Sequence, residues 1–277
     1  TKSLLSRLLI WDQNYKDLEL KLAFKIQYKG TNYSGFQSQK NAISIQDEIL
    51  KAFNNISIND LQMNFSGRTD KGVHALGQIF DVNVNEERTN TQWINGLNSN
   101  LPPDISIVNM DRVKDSFHSR FDAIDRTYSY LIFNDQSKNV LLDDFYYWEQ
   151  GNLDIDKMTE QSQCLIGKHD FSSFRSLSCG SKNPERNVKK IEINKQGNIL
   201  EIKIIANAFL QNMVRIIVGT LLEIGKNQIN VPLKDILESK DRKNAGTTIN
   251  PKGLIFLGAN YGNITSLKPE KSPLIRI

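Results

Sequence analysis

The sequence predicts an α+β fold of two halves, each ordered β-α-β-β-α-β and packed around a central cleft. Two observations predict it. Short runs of period-two apolar alternation recur between helical patterns, and the same element order can be read twice along the 277 residues. Each half therefore reads as a ferredoxin-like unit, although the halves do not visibly repeat in sequence. A cleft between two such units is a common place for an active site.

The elements follow in order. Leu20, Leu22, Phe24, Ile26 and Tyr28 alternate with polar neighbours as a half-buried strand that Gly30 ends. Ser44 caps a helix with Ile45, Ile49 and Phe53 on one face, and Asp47 sits near the positive end of its dipole. Strands at 61–65 and 78–84 flank the loop Gly67 to Gly72. A helix over 90–97 stops at Pro102 and Pro103, and a strand follows over 105–113. After the polar stretch 114–120 the order returns: a strand over 126–133, a helix over 155–166, strands over 188–193 and 200–205, an apolar helix over 209–224, and a last strand over 254–260. Gly225 suits a left-handed position after the apolar helix. The expected division is an N-terminal extension (1–17), an α+β domain carrying the loop (18–116), a second α+β domain (117–262) and a mobile tail (263–277).

Apolar residues, 39% of the chain, are spread along its whole length, so no segment is too polar to fold. Lys and Arg exceed Asp and Glu by 35 to 31. This mild basic bias suits a polyanion partner without requiring one. Cys164 and Cys179 show neither a metal-binding nor a disulfide-framework spacing, which points to a reducing compartment and no metal site. No apolar run reaches the roughly 20 residues needed to cross a bilayer. The N-terminal residues Leu4 to Ile10, broken by Ser6 and Arg7, read as a short amphipathic helix or frayed leader. The chain does not begin with Met, so an organellar matrix stays open beside the expected cytoplasmic location.

The stretch Gly67-Arg68-Thr69-Asp70-Lys71-Gly72-Val73-His74-Ala75 joins two apolar strands, with two glycines bracketing an Arg and an Asp. Such a loop can hold a carboxylate at a cleft floor, the glycines allowing backbone conformations closed to other residues. On spacing alone, the plainer reading is a tight turn whose Asp bonds locally. His74, with Ser66 and Asp70, does not make a hydrolase triad, because no nucleophile elbow surrounds the serine. His74 is read as structural, His118 as support for the site, and His169 as a local hydrogen-bonder.

The loop resembles that of the TruA family of tRNA pseudouridine synthases. The resemblance continues in the family's order at Tyr28 to Gln37, Asn100 to Asp104, Phe117-His-Ser-Arg-Phe121, Arg126-Thr-Tyr-Ser-Tyr130, Asn207 to Arg215, and Asp241-Arg242 to Leu254. It implies the pseudouridine synthase fold and an isomerase without metal or cofactor, acting on uridine in the 3′ side of the tRNA anticodon stem-loop. Asp70 matches the catalytic aspartate. Tyr128 matches the active-site tyrosine, Arg68 an arginine that helps extrude the target nucleotide, and Arg215 the partner that should lower the pKa of Asp70. Lys71, Arg120, Arg126, Lys182 and Arg186 are candidate RNA contacts by their nearness to these motifs. The family also implies a homodimer. The alternatives are a synthase acting on other RNAs and a structured-RNA-binding protein without turnover. Ser66, Lys71, Phe36 and Ile216 depart from the family's usual residues, which bears on substrate preference more than on reaction type.

Overall fold

The computed structural model describes residues 19–271 and 273. The extension at 1–17, and the helix or leader read there, lie outside the described residues.

The first half follows the expected order: β1 (Leu20–Tyr28), α1 (Ile45–Asn55), β2 (Met63–Phe65), β3 (His74–Val84), α2 (Asn90–Asn98) and β4 (Ile105–Arg112). Both helices start on reciprocal capping boxes. Ser44 Oγ accepts from Asp47 N while Asp47 accepts from Ser44 N, and Thr89 and Gln92 do the same at α2. Phe24 of β1 stacks on Phe80 of β3 at 5.1 Å and meets Phe53 of α1 and Trp93 of α2 edge-on, at 5.8 and 6.3 Å. This aromatic cluster seats both helices on the sheet.

The second half is more elaborate: β5 (Asp125–Asn134), β6 (Tyr147–Glu149), α3 (Ile155–Ser162), β7 (Gly167–Asp170), β8 (Glu185–Gln196), β9 (Ile199–Ala206), α4 (Met213–Gly225), α5 (Leu233–Ser239) and β10 (Leu254–Asn260). The short β6, β7 and α5 carry too few residues to show a period in sequence. Helix α3 stops four residues before its expected end, where a 3-10 turn over Gln163–Leu165 leads into β7. Helix α4 begins four residues late because Asn212 takes the left-handed conformation, at φ 61°. Gly225 is the last residue of α4 and not its left-handed exit; Asn227, at φ 57°, serves that purpose. A Cβ at Gly225 would stand 2.6 Å from Met158 Sδ, so close helix packing explains the glycine.

The strands form one sheet in the order β4-β1-β3-β10-β5-β9-β8-β7, with β2 on β3 and β6 on β5. The last strand is thus central. Its residues are apolar toward both faces: Phe256 joins the main core, while Ile255 and Leu257 join a smaller one with Leu131 and Tyr146. It runs parallel to β3 and antiparallel to β5. The segment after Gly262, expected to be mobile, packs against this sheet through buried Leu267. Lys25 Nζ holds it there, donating to Lys268 O and Glu270 Oε1 at 2.7 Å each.

Candidate active site

Phe256 pairs with Ala75 on one side and with Tyr128 on the other. Three neighbouring strands, spaced about 4.8 Å apart, therefore carry the loop before His74 and the ring of Tyr128 to within roughly 10 Å of each other. Tyr128 is buried between Phe256, at 4.8 Å, and Phe209, edge-on at 5.0 Å. A cleft of about 760 Å³ opens above this row. Arg68, Asp70, Tyr128 and Arg215 all line it, with His118, Phe121, Arg186 and Asn212. The structure brings the four sequence-predicted site residues together. It leaves Lys71 and Lys182 on the surface outside the cleft lining.

The loop is pinned along its length. Ser66 N donates to Ile79 O at 2.8 Å, and Gln78 Nε2 donates to Gly67 O at 2.6 Å. The hydroxyls of Thr69 and Tyr28 share a bond of 2.8 Å, and Phe36 N donates to Thr69 O. Gly72 N then reaches Tyr33 O, and Val73 N closes a turn on Asp70 O. The clamp of widest reach is Arg126. Its Nε and Nη2 donate to Ser66 O at 3.2 and 3.1 Å, and its other donors reach Ala123 O, Asn207 O and Arg120 O. A guanidinium has five N–H groups, and here they are spent on four backbone carbonyls. Arg126 therefore ties the loop to the second half, its donors engaged by the backbone, where the sequence expectation was an RNA contact.

Of the two bracketing glycines only Gly72 needs its freedom, at φ +78°, with Pro251 Cγ 3.1 Å from where a Cβ would sit. Gly67 has an ordinary φ and nothing within 4 Å. Gly72→Ala is expected to lower stability by about 1–2 kcal/mol, and Gly67→Ala by far less. Urea unfolding of both variants measures the difference.

Asp70 is largely enclosed, yet its carboxylate accepts no hydrogen bond from a described residue. Burial pushes its pKa above the usual carboxylate range, and the charge of Arg215 pulls it back only in part. Arg215 acts in the expected downward direction, but the net shift is upward because desolvation outweighs the guanidinium. The two residues do not form a direct ion pair. Arg215 Nε donates to Ile249 O at 2.7 Å and Nη1 to Asn212 Oδ1 at 2.8 Å, which orients the cation across the cleft. Arg215 is the third residue of α4, where a positive charge opposes the helix dipole. A carboxylate facing it offsets that cost. Arg215 is itself pulled below its ordinary pKa by burial, with Asp70 acting in the opposite sense.

Burial also raises the pKa of the Tyr128 hydroxyl, with Tyr28 and Asp70 adding to the shift, so the phenol stays protonated. That hydroxyl makes no hydrogen bond to a described residue. Tyr130, two residues on, donates to Asn250 O at 2.6 Å and does not line the cleft. Arg68 is exposed and free of hydrogen bonds or ion pairs to described residues, which removes the reading of it as a loop brace. His74 is structural: its Nδ1 accepts from Gly30 N and its Nε2 donates to Asp144 O, while burial lowers its pKa. No three His, Cys, Asp or Glu side chains among the described residues stand where they could hold a metal ion.

With this geometry in view, the family model described as tRNA pseudouridine synthase matches residues 25–122 and 162–262, more than half of the chain. "tRNA pseudouridine synthase A" of Francisella tularensis subsp. holarctica is 41% identical over 238 residues, covering 86% of this chain and 92% of that protein. The chain belongs to the tRNA pseudouridine synthase family. The protein of the same name from Hydrogenovibrio crunogenus is 42% identical over 257 residues, 92% of this chain and 95% of its own. A solved Cbf5-Nop10-Gar1 complex aligns over 85% of this chain and 58% of its own, at 10% identity and a TM-score of 0.33. Among the described residues no helix is long and apolar enough to cross a membrane.

The tRNA pseudouridine synthase match spans Arg68, Asp70 and Arg215. Tyr128 falls between its two stretches and stands on the sheet register instead. Sequence reasoning missed the clamps, Arg126 and Gln78, and also Asn212, which turns the chain and orients Arg215. Asn212 left a signal: asparagine directly before an apolar helix is among the residues that tolerate the left-handed conformation.

Proposed function

We propose that the chain isomerises uridine to pseudouridine in the 3′ side of the tRNA anticodon stem-loop. In this reading Asp70 is the catalytic residue, and Tyr128, Arg68 and Arg215 bind the substrate. The observation that carries it is the Asp70 carboxylate, enclosed, without a hydrogen-bond partner among the described residues, and lining one cleft with a half-buried guanidinium and a tyrosine hydroxyl that no described residue engages.

The reaction breaks the N1–C1′ bond of uridine, rotates the detached uracil, forms C5–C1′, and exchanges the hydrogen on C5 for one on N1. Two roles are open to the carboxylate, attack on C1′ or removal of a sugar proton. In this reading the Tyr128 ring stacks on the base and its protonated hydroxyl donates. Arg68, exposed in the cleft lining and unengaged by described residues, fills the space that an extruded nucleotide vacates. Arg215 opposes the upward pull of burial on the Asp70 pKa and so favours its ionised form. Tyr128→Phe is expected to lower kcat about 100-fold while tRNA binding is retained, because it removes the donor and keeps the ring. Filter binding and initial rates measure the two effects separately.

The TruA resemblance further supports a homodimer, a cytoplasmic location, and a division of the chain near residue 116. The target position is tested by mapping carbodiimide-reactive pseudouridines in RNA from cells with and without the protein. Protein-dependent sites in the 3′ side of the anticodon stem-loop are expected. Sites confined to other RNAs would transfer the activity to a different substrate.

A further inference from the structure

The segment from His118 to Asp122 forms a wall of the cleft to which the isomerisation chemistry gives no task. We propose that the Phe121 ring is a stacking subsite for an unpaired nucleobase adjacent to the target uridine, with Arg120 meeting the phosphate beside that base. This rests on the reading of the chain as a tRNA uridine isomerase.

Phe121 is 72% exposed, yet it lines the same cleft as Asp70. A large apolar ring left mostly in water gains little from the hydrophobic effect. The backbone beneath it is nevertheless held firmly. Ser119 N donates to the buried Asp81 at 2.7 Å, the Tyr261 hydroxyl donates to Ser119 O at 2.6 Å, and Arg126 grips Arg120 O. Within the turn, His118 N donates to Asp122 Oδ2 and Phe121 N to His118 O. The His118 ring lies against Phe121 with centroids 4.2 Å apart, and the Arg120 guanidinium stands 5.6 Å from the Phe121 centroid.

An exposed aromatic on a rigid support is a preorganised platform, because little freedom remains to be lost when a flat partner arrives. Every nucleobase has a face that can stack on it, and a neighbouring arginine adds charge for the backbone. The cleft also presents Arg68 and Arg186, which favours a polyanion over an apolar protein segment.

The test uses full-length tRNA carrying 2-aminopurine on either side of the target uridine, with wild type, Phe121→Ala and Phe121→Trp. Wild type and Phe121→Trp are expected to quench one of the two probes on binding. Phe121→Ala should lose that quench and raise KM about 5- to 100-fold, the loss falling on KM and not on kcat. Unchanged KM and unchanged quenching in Phe121→Ala would overturn the subsite while leaving the isomerase reading intact. A loss confined to kcat would also overturn it, by assigning the ring to the chemistry. A wild type that forms no pseudouridine in this tRNA would remove the isomerase reading itself.

Discussion

Asp70→Asn should abolish turnover, by at least about 10³-fold in kcat, while tRNA binding is kept and the fold is no less stable than wild type. The stability half of this result follows from burial. A carboxyl whose folded pKa lies above its unfolded value holds its proton more tightly when folded. The stability it contributes is therefore lost as pH rises through those values, and the ionised group weighs against folding above them. Asparagine keeps the shape and removes the charge, so thermal unfolding at pH 8 should occur at the wild-type temperature or above it. An aspartate serving only the fold would behave in the opposite way, losing stability and keeping some activity. Product nucleoside analysis, filter binding and thermal unfolding on one preparation separate the two cases.

Arg215→Met should be nearly as damaging at neutral pH, with a signature of its own. Among the described residues it is the guanidinium that lowers the pKa of Asp70 against its burial. Without it desolvation acts alone, the pKa rises further, and less of the carboxylate is ionised at pH 7. The acid limb of the kcat/KM profile should move to higher pH. Activity near pH 7 should fall about 10- to 1000-fold, with part of it regained toward pH 9. Arg215→Lys keeps the charge and should keep the limb nearer its wild-type position, although it loses the paired contacts to Ile249 O and Asn212. A profile from Arg215→Met that coincides with wild type would remove electrostatic support of Asp70 from the role of this arginine.

The site was more legible than the sheet that builds it. Asp70, Arg68, Tyr128 and Arg215 stand in short motifs whose residues can be matched one by one, and all four line a single cleft. Strands such as β1 and β10 showed themselves through local patterning. The insertion of β10 between β3 and β5 did not, because pairing across more than 120 residues leaves no local trace. That insertion is what brings Ala75 and Tyr128 onto one row through Phe256. The net pKa of Asp70 was hidden for a related reason. A sequence can suggest a charged partner, but the extent of burial emerges only from packing, and here burial is the larger influence. Arg126 likewise read as an RNA contact until its four carbonyl partners, drawn from three separate segments, came together. The exit of α4 shows the same limit on a smaller scale, since Gly225 fits a left-handed cap by type but is required by the nearness of Met158.

Isomerisation itself is tested most directly by following tritium from carbon 5 of uracil in labelled tRNA, with free uracil measured in the same reaction. Forming a carbon–carbon bond at C5 must release that hydrogen, whereas cleavage of the glycosidic bond alone releases uracil and leaves tritium on the base. The expected result is one tritium freed for each pseudouridine formed and no free uracil. Binding of the labelled tRNA without tritium release, or release of uracil in its place, would contradict it.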